Sequence, residues 1–420
     1  MWEIVYKTDA DVISLDYTEY GNGIINHTDG TYLYENTELD GVCKLVVNKA
    51  TNTLIGAHII GSYAGEFIVS VSELIDLEVD IENIKKLVFP HPTVCERNKM
   101  SKQLFVDPVE IRKAGKIAFD DILVNQYNKT IEEEKKNFKK DDFVRIFNDI
   151  AVLREFESMI NSIKIKGEYQ GFKHSYPGPA HLSIGQEAAA VGQAYILDLD
   201  DMTFGSHRSH SEVLARGLAS IHKLPDDKLY QIMKDFMGGE TLAPVERHNK
   251  TGNVKDLAVD FLLYGFMSEI FARRTGFHRG MGGSMHVFFL PFGIYPNNAI
   301  VGGAAPVALG AALYKKINDK PGIVISNVGD GAVGCGVVYE SMNFASMDQF
   351  RTLWEKKGGL PILFNFFNNN YGMGGQTRGE TMAYDFLARL GAGVTPSQMY
   401  AERVDGFNPL AVIEAMKRKK

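Results

Sequence analysis

The chain has 420 residues, 45% hydrophobic and 23% charged, which is enough apolar material for at least two cores. A net charge of −7, with no run of Lys and Arg interleaved with aromatics, excludes a nucleic-acid footprint. Three scattered cysteines, Cys43, Cys95 and Cys335, exclude a disulfide framework or a cysteine zinc site and point to a reducing, cytoplasmic setting. The opening MWEIVYKTDADV lacks the basic and apolar regions of a signal peptide, and no apolar run is long enough to span a membrane.

The first predicted elements lie at 42–60, where VCKLVVN and LIGAHII are β-branched runs joined by a polar turn, a hairpin pattern. Gly65 to Leu77 follows with Phe67, Ile68, Val71, Leu74 and Ile75 near the helical period, so a helix should pack on that hairpin. These make a small α+β unit over 1–106. From Asp107 to Asp142 apolar density falls and charges cluster, as in IEEEKKNFKKDD, which predicts a charged linker. Phe143 to Ile165 has helical periodicity. From Ile300 onward, glycine-rich turns alternate with short buried strands and helices in the βαβ manner of a parallel sheet, giving a second domain over 143–420.

Within that domain GIVISNV, 322–328, reads as a buried strand, followed at once by Gly329-Asp330-Gly331 and a helical run from Ala332. That order sets Asp330 at the carboxyl end of a parallel strand, facing the positive end of the next helix, where a diphosphate is well placed. The next strand, PILFNFF, ends in Asn368, Asn369 and Asn370 before the turn at Tyr371. A carboxylate from Asp330, an amide oxygen from Asn369 and the main-chain carbonyl of Tyr371 form a donor set suited to Mg2+. Taken alone, Gly-Asp-Gly is an ordinary turn sequence.

With the asparagine run after the following strand, it resembles the thiamine diphosphate motif. Three further blocks, HLSIGQEAAAVG, FGSHRSH, and HRGMGGSMH with AIVGGAAPVALGAA after it, resemble the alpha subunits of pyruvate, branched-chain 2-oxo acid and acetoin dehydrogenase complexes from about Phe143 to Lys420. The resemblance implies an α/β thiamine-diphosphate-binding fold with a central parallel sheet. It implies thiamine diphosphate and Mg2+ as cofactors, with His207 and Arg208 on the diphosphate, and Gly329, Asp330, Gly331, Ala332, Asn369 and Tyr371 around the metal and phosphates. Ala299 and Val301 match backbone contacts to the aminopyrimidine, with Gly302 and Gly303 admitting close approach. His181 matches a histidine facing the reaction centre, where a buried structural histidine is nearly as good a reading. His286 is a second-rank catalytic candidate and Ser284 a weaker one.

The same resemblance implies decarboxylation of a 2-oxo acid, or acetoin cleavage, with acyl transfer to a lipoyl-bearing acyltransferase. The activating carboxylate then comes from a beta-type subunit, so the chain is expected to be inactive alone. Two departures stand out. The run between Asp330 and Asn369 is longer than the family's, with DQFRTLWEKKGGL as apparent insertion, and the family's next strand and histidine-bearing loop are expected beyond Lys420.

At the amino end, GVCKLVVNKATNTLIGAHIIGSYAGEFI and FPHPTVCE resemble the interface domain of dihydrolipoamide dehydrogenase. There a histidine oriented by a glutamate serves a flavin-linked dithiol. Here His91 and Glu96 match that pair, but the flavin and nicotinamide domains and the redox cysteine pair have no counterpart, and Phe89 replaces a common second histidine. A retained dimerisation module giving a homodimer is the expected role. The alternative reading of the whole chain is a non-catalytic assembly fragment, and a transketolase-type enzyme ranks third.

Overall fold

The computed structural model describes residues 2–5, 10–16, 42–48, 50–60, 64–84, 112–116, 119, 121–176, 178–206, 209–354, 358–394 and 399–420. The chain divides into two compact units, Met1–Gly115 and Lys116–Lys420. His91, Glu96 and Phe89 lie outside the described residues.

The first unit holds a four-stranded antiparallel sheet of β1 (Trp2–Val5), β2 (Ala10–Asp16), β3 (Val42–Asn48) and β4 (Leu54–Ile60), in the order β1-β4-β3-β2. The β3–β4 hairpin turns where the Asn48 side chain accepts the Ala50 N–H at 2.9 Å and Asn52 adopts a φ of 57°, a conformation that asparagine tolerates. Helix α1 (Ala64–Asp76) buries Val71, Leu74 and Ile75, and packs on β4, which buries Leu54, Ile55 and Ala57. The short α2 (Ile81–Ile84) starts where Asp80 Oδ1 accepts the Glu82 N–H.

The second unit begins with β5 (Leu123–Val124) and α3 (Ile131–Glu134), followed by α4 (Lys140–Lys166), β6 (Glu168–Tyr169), β7 (Phe172–Lys173) and α5 (Glu187–Tyr195). Thus 121–142, read above as linker, carries structure. β5 pairs with β14 (Glu402–Arg403), and Phe138 is buried in the helical core. That core is built from α4 and α5, then α6 (His210–Lys223), α7 (Asp226–Asp235), α8 (Leu242–His248) and α9 (Val254–Ile270). Its centre is aromatic: Phe289 lies 4.8 Å from Phe277, 4.8 Å from Phe292 and 4.9 Å from Phe236 between ring centroids. Offset and edge-on pairs of this kind add about 1 kcal/mol each beyond the area they bury. They hold the irregular run 276–292 against the helices.

The parallel sheet contains β8 (Met202–Phe204), β9 (Ile294–Tyr295), β10 (Val324–Gly329) and β11 (Ile362–Phe367) in the order β11-β10-β8-β9, every pair parallel. α10 (Ala304–Ile317) leads into β10 and α11 (Gly336–Ala345) leaves it. The strand starts at Val324 rather than Gly322, because Gly322 takes a φ of +81° in the entering turn. The hairpin of β12 (Tyr371–Gly372) and β13 (Gly375–Gln376), then α12 (Ala388–Val394) and α13 (Pro409–Lys419), complete the unit. The insertion-like DQFRTLW is not a bare loop: 349–353 form a π-helical turn, and Phe350 is buried between Phe344 and Trp354. No helix among the described residues is long and apolar enough to cross a membrane.

α13 approaches α5 at Gly192, where an added Cβ would stand 2.7 Å from Val412 Cβ and 2.8 Å from Pro409 O. One of these partners is backbone and cannot swing away. Gly192→Ala should therefore lower stability by about 1–3 kcal/mol, read as a fall in urea midpoint at unchanged slope.

Candidate active site

All four strands of the parallel sheet point their carboxyl ends to one side. The chain leaves β8 toward β9 on one flank, and leaves β10 toward β11 on the other. A topological switch therefore lies between β8 and β10, the position where open α/β sheets form a binding crevice. Of the described residues, 205, 206 and 209, 296–303, 330–335 and 368–377 follow these strand ends or border the switch.

Asp330 leaves β10 in a tight turn and is buried, with Oδ2 accepting the Thr377 hydroxyl at 2.6 Å. The β12–β13 hairpin lies over this turn, since a Cβ on Gly331 would meet Gly372 Cα and Thr377 Cγ2, both at 3.7 Å. Gly329 pairs with Phe367 in register, so Asp330 and the asparagine run emerge from adjacent strand ends. There Asn369 Oδ1 accepts the Tyr371 N–H at 2.9 Å, and Asn370 takes a φ of 64°, turning the chain back toward Asp330. Asn369 and the Tyr371 ring are exposed. A cavity of about 860 Å³ reaches Asn369 from the β11 edge.

The 299–303 loop meets the same place. Gly302 has a φ of +78°, and its Cβ, if present, would sit 3.0 Å from Cys335 Cβ at the start of α11. Ala299 and Val301 are exposed beside it, and Gly303 is buried at the start of α10. His207 and Arg208 lie outside the described residues. Their flanks are firmly tied: Asn297 Nδ2 donates to Ser209 Oγ at 2.8 Å and to Ser206 O at 3.3 Å, and Glu212 accepts both the N–H and the hydroxyl of Ser206 at 2.9 Å.

His181 belongs to a second cluster, built on Ser284 of the loop that runs on to His286. The His181 N–H points to Ser284 Oγ at 3.4 Å, and Ser284 Oγ is 2.7 Å from His210 Nε2. The HRGMGG run is clamped by buried Glu269, whose Oε2 accepts the N–H groups of His278 at 2.7 Å and Gly280 at 3.0 Å, and whose Oε1 accepts that of Gly282. Burial holds the His278 imidazole below the usual histidine range despite Glu269 nearby.

Glu157, His210, Glu212, Glu269, Asn297 and Thr377 carry this geometry and were not singled out from the sequence. A signal existed for the acids: Glu157 sits among Leu153, Phe156 and Ile160 on the buried face of α4, and a carboxylate on an apolar helix face needs a partner. Glu187, in the GQEA block, is engaged by Arg154. Burial pushes its carboxyl up, but the Arg154 fork, at 2.7 and 2.9 Å, and the Gly185 N–H outweigh burial and hold it below the usual range.

No cluster of three or more His, Cys, Asp or Glu among the described residues is arranged to hold a metal. A metal held by Asp330 would take its other ligands from amide and main-chain oxygens. Asp330, Asn369 and the Tyr371 carbonyl offer that hard-oxygen set at adjacent strand ends. The residues fit.

Burial drives the Glu212 carboxyl up to about 7, although the Ser206 donors and nearby His210 pull it down. The folded-state value exceeds the ordinary 4.5, so the folded form holds a proton that the unfolded chain releases between those values. Stability should fall by about 3 kcal/mol as pH rises from 4.5 to 7, then level off. Denaturant midpoints measured across that window should show the fall, and Glu212→Gln should remove most of it.

The sequence profile described as "Dehydrogenase E1 component" matches residues 157–420, and that described as "Pyridine nucleotide-disulphide oxidoreductase, dimerisation domain" matches residues 9–101. The pyruvate dehydrogenase E1 component subunit alpha of Rickettsia prowazekii is 30% identical over 259 residues, covering 62% of this chain and 61% of that protein. The mitochondrial counterpart of Dictyostelium discoideum is 28% identical over 280 residues, 66% of this chain and 56% of that protein. That of Rhizobium meliloti is 26% identical over 275 residues, 66% and 61% respectively. The chain thus spans about six tenths of the length of these curated relatives.

Proposed function

The chain belongs to the dehydrogenase E1 component family, and from that premise we propose that its second unit binds thiamine diphosphate with Mg2+ and forms the alpha-type part of an enzyme that decarboxylates a 2-oxo acid. The observation that carries this reading is the buried Asp330 at the end of β10, in register with the strand that delivers Asn369. When bound, thiamine diphosphate supplies a nucleophilic carbon and an electron sink for the departing carbon dioxide.

The chain's own residues hold and orient. Asp330, Asn369 and the Tyr371 carbonyl are assigned to the metal, with Thr377 fixing the Asp330 carboxylate. Gly329, Gly331, Ala332, His207 and Arg208 are assigned to the diphosphate, and Ala299 and Val301 to the aminopyrimidine through their main chain. His181 and His286 are assigned to the substrate end, to donate a hydrogen bond or a proton. An activating carboxylate is assigned to a beta-type partner, which the engagement of Glu187 by Arg154 supports. Lipoamide on an acyltransferase is the proposed acceptor, and residues 1–106 the proposed self-association domain of a cytoplasmic assembly.

Calorimetric titration should give thiamine diphosphate binding that requires Mg2+. Asp330→Ala should weaken it by more than about a hundredfold, through loss of a charged ligand and of the Thr377 contact. Equal affinity in parent and variant would remove the metal assignment. The purified chain should turn over no appreciable pyruvate or branched 2-oxo acid by itself, because parts that act as a unit lose orders of magnitude together. Steady turnover without a partner would sink the beta-type assignment.

A further inference from the structure

Ser284 belongs to a buried array of Glu157, His210 and two segment ends. Glu157, on α4, is fully buried, and its carboxylate is shared between two segments: Oε1 lies 2.6 Å from His210 Nδ1, and Oε2 accepts the Ser183 N–H at 2.7 Å. The far side of the imidazole meets the glycine-rich loop, with Nε2 at 2.7 Å from Ser284 Oγ and 3.1 Å from Ser284 O. Ser284 Oγ accepts the His181 N–H. Ser183 and Ser211 hydroxyls, 2.6 Å apart, link the 181–184 segment to α6, and the Phe266 ring stands edge-on to His210 at 5.1 Å.

A carboxylate taken this far from water is costly unless its oxygens are matched by donors. Here the donors come from α6 and the 181–184 segment, and the imidazole passes the constraint on to the loop that ends in His286. With Nδ1–H given to Glu157, Nε2 accepts the Ser284 hydroxyl.

We propose that Glu157 and His210 are positioning residues, which through Ser284 hold the segments bearing His181 and His286 in one fixed arrangement. The role given to those two histidines rests on the function assigned above, whereas the array does not depend on it.

The test is hydrogen exchange and proton NMR on the full chain, with thiamine diphosphate and Mg2+ titrated in parallel. An asparagine amide nitrogen replaces imidazole Nδ1, and a glutamine amide nitrogen replaces Nε2. His210→Asn thus keeps the Glu157 link and loses Ser284, whereas His210→Gln does the reverse. Ser284→Ala and His210→Asn should each speed exchange at His181 and at 284–287 by about tenfold, while the amides of His278 and Gly280, held by Glu269, keep the parent rate. The short Nδ1–H···Oε1 bond should give a far-downfield imidazole proton that survives Ser284→Ala and vanishes in Glu157→Gln and His210→Gln. A parent-like exchange rate in Ser284→Ala, or a downfield proton unaffected by Glu157→Gln, overturns the proposal. Should the His210 variants fail to fold, Ser284→Ala, which removes one hydroxyl, still decides. Cofactor binding by the parent with unaltered loop exchange removes the array and spares the assigned function. Altered exchange in a parent that binds no thiamine diphosphate spares the array and removes that function.

Discussion

Burial of β10 on both faces and along both edges is the constraint from which the rest of the second unit follows. A strand flanked by parallel neighbours cannot reach either through a tight turn, so each connection must cross over a face of the sheet and cover it. α10 and α11 cover the face that carries Val324 and Val328, α5 and α13 cover the face of Ile325 and Asn327, and residues 324–328 are all buried, with Ser326 Oγ left without a hydrogen-bond partner among the described residues. The two asparagines that interrupt the apolar run settle each other: Asn327 and Asn365 are register partners, bonded at 2.9 Å, and Gln193 joins them at 2.8 Å. The same parallelism gathers the carboxyl ends of four strands on one side. A crevice with Asp330 at its floor is a consequence of topology before any ligand is considered.

Loops at such a crevice have main-chain N–H groups that no neighbouring strand satisfies, and this molecule meets them with helix-borne carboxylates. Glu269 captures N–H groups of 278, 280 and 282. Glu212 captures that of 206, Glu157 that of 183, and Glu187 that of 185. Among the described residues, Glu187 alone of these four bonds an arginine, and the other three are matched by backbone dipoles, hydroxyls and an imidazole. That arrangement fixes loop geometry at the expense of stability, and it makes the crevice rim a preorganised frame in which small displacements carry a large penalty. The raised Glu212 carboxyl is the visible sign of that cost.

The aromatic cluster under the 276–292 run serves the same end by different means. Phe236, Phe261, Phe277, Phe289 and Phe292 anchor the run through apolar packing, whereas Glu269 and His210 hold its main chain and Ser284 by hydrogen bonds. Apolar burial supplies the energy and the polar bonds supply the direction. Dispersion and hydrophobic contacts alone leave a glycine-rich segment free to slide, since they are not directional.

What could be read along the chain was what depends on local order. The hairpin at 42–60, the helix at 64–76, the strand before Gly329 and the strand before Asn368 follow from residue period and turn chemistry, and the position of Asp330 follows from the strand-turn-helix order. The sequence blocks likewise carried the family, because a motif is written in neighbouring residues. The Glu157–His210–Ser284 array joins positions 53 and 74 residues apart, and the Asp330–Thr377 bond spans 47, so no window along the chain contains them. The same holds for the 121–142 stretch: its charges read as a linker, yet Phe138 enters the helical core and Lys129 pairs with Glu414 from the far end of the chain. Tertiary structure alone decided which buried acids face which loops, because a carboxylate on a helix is chemically the same residue until the fold selects the backbone that it meets.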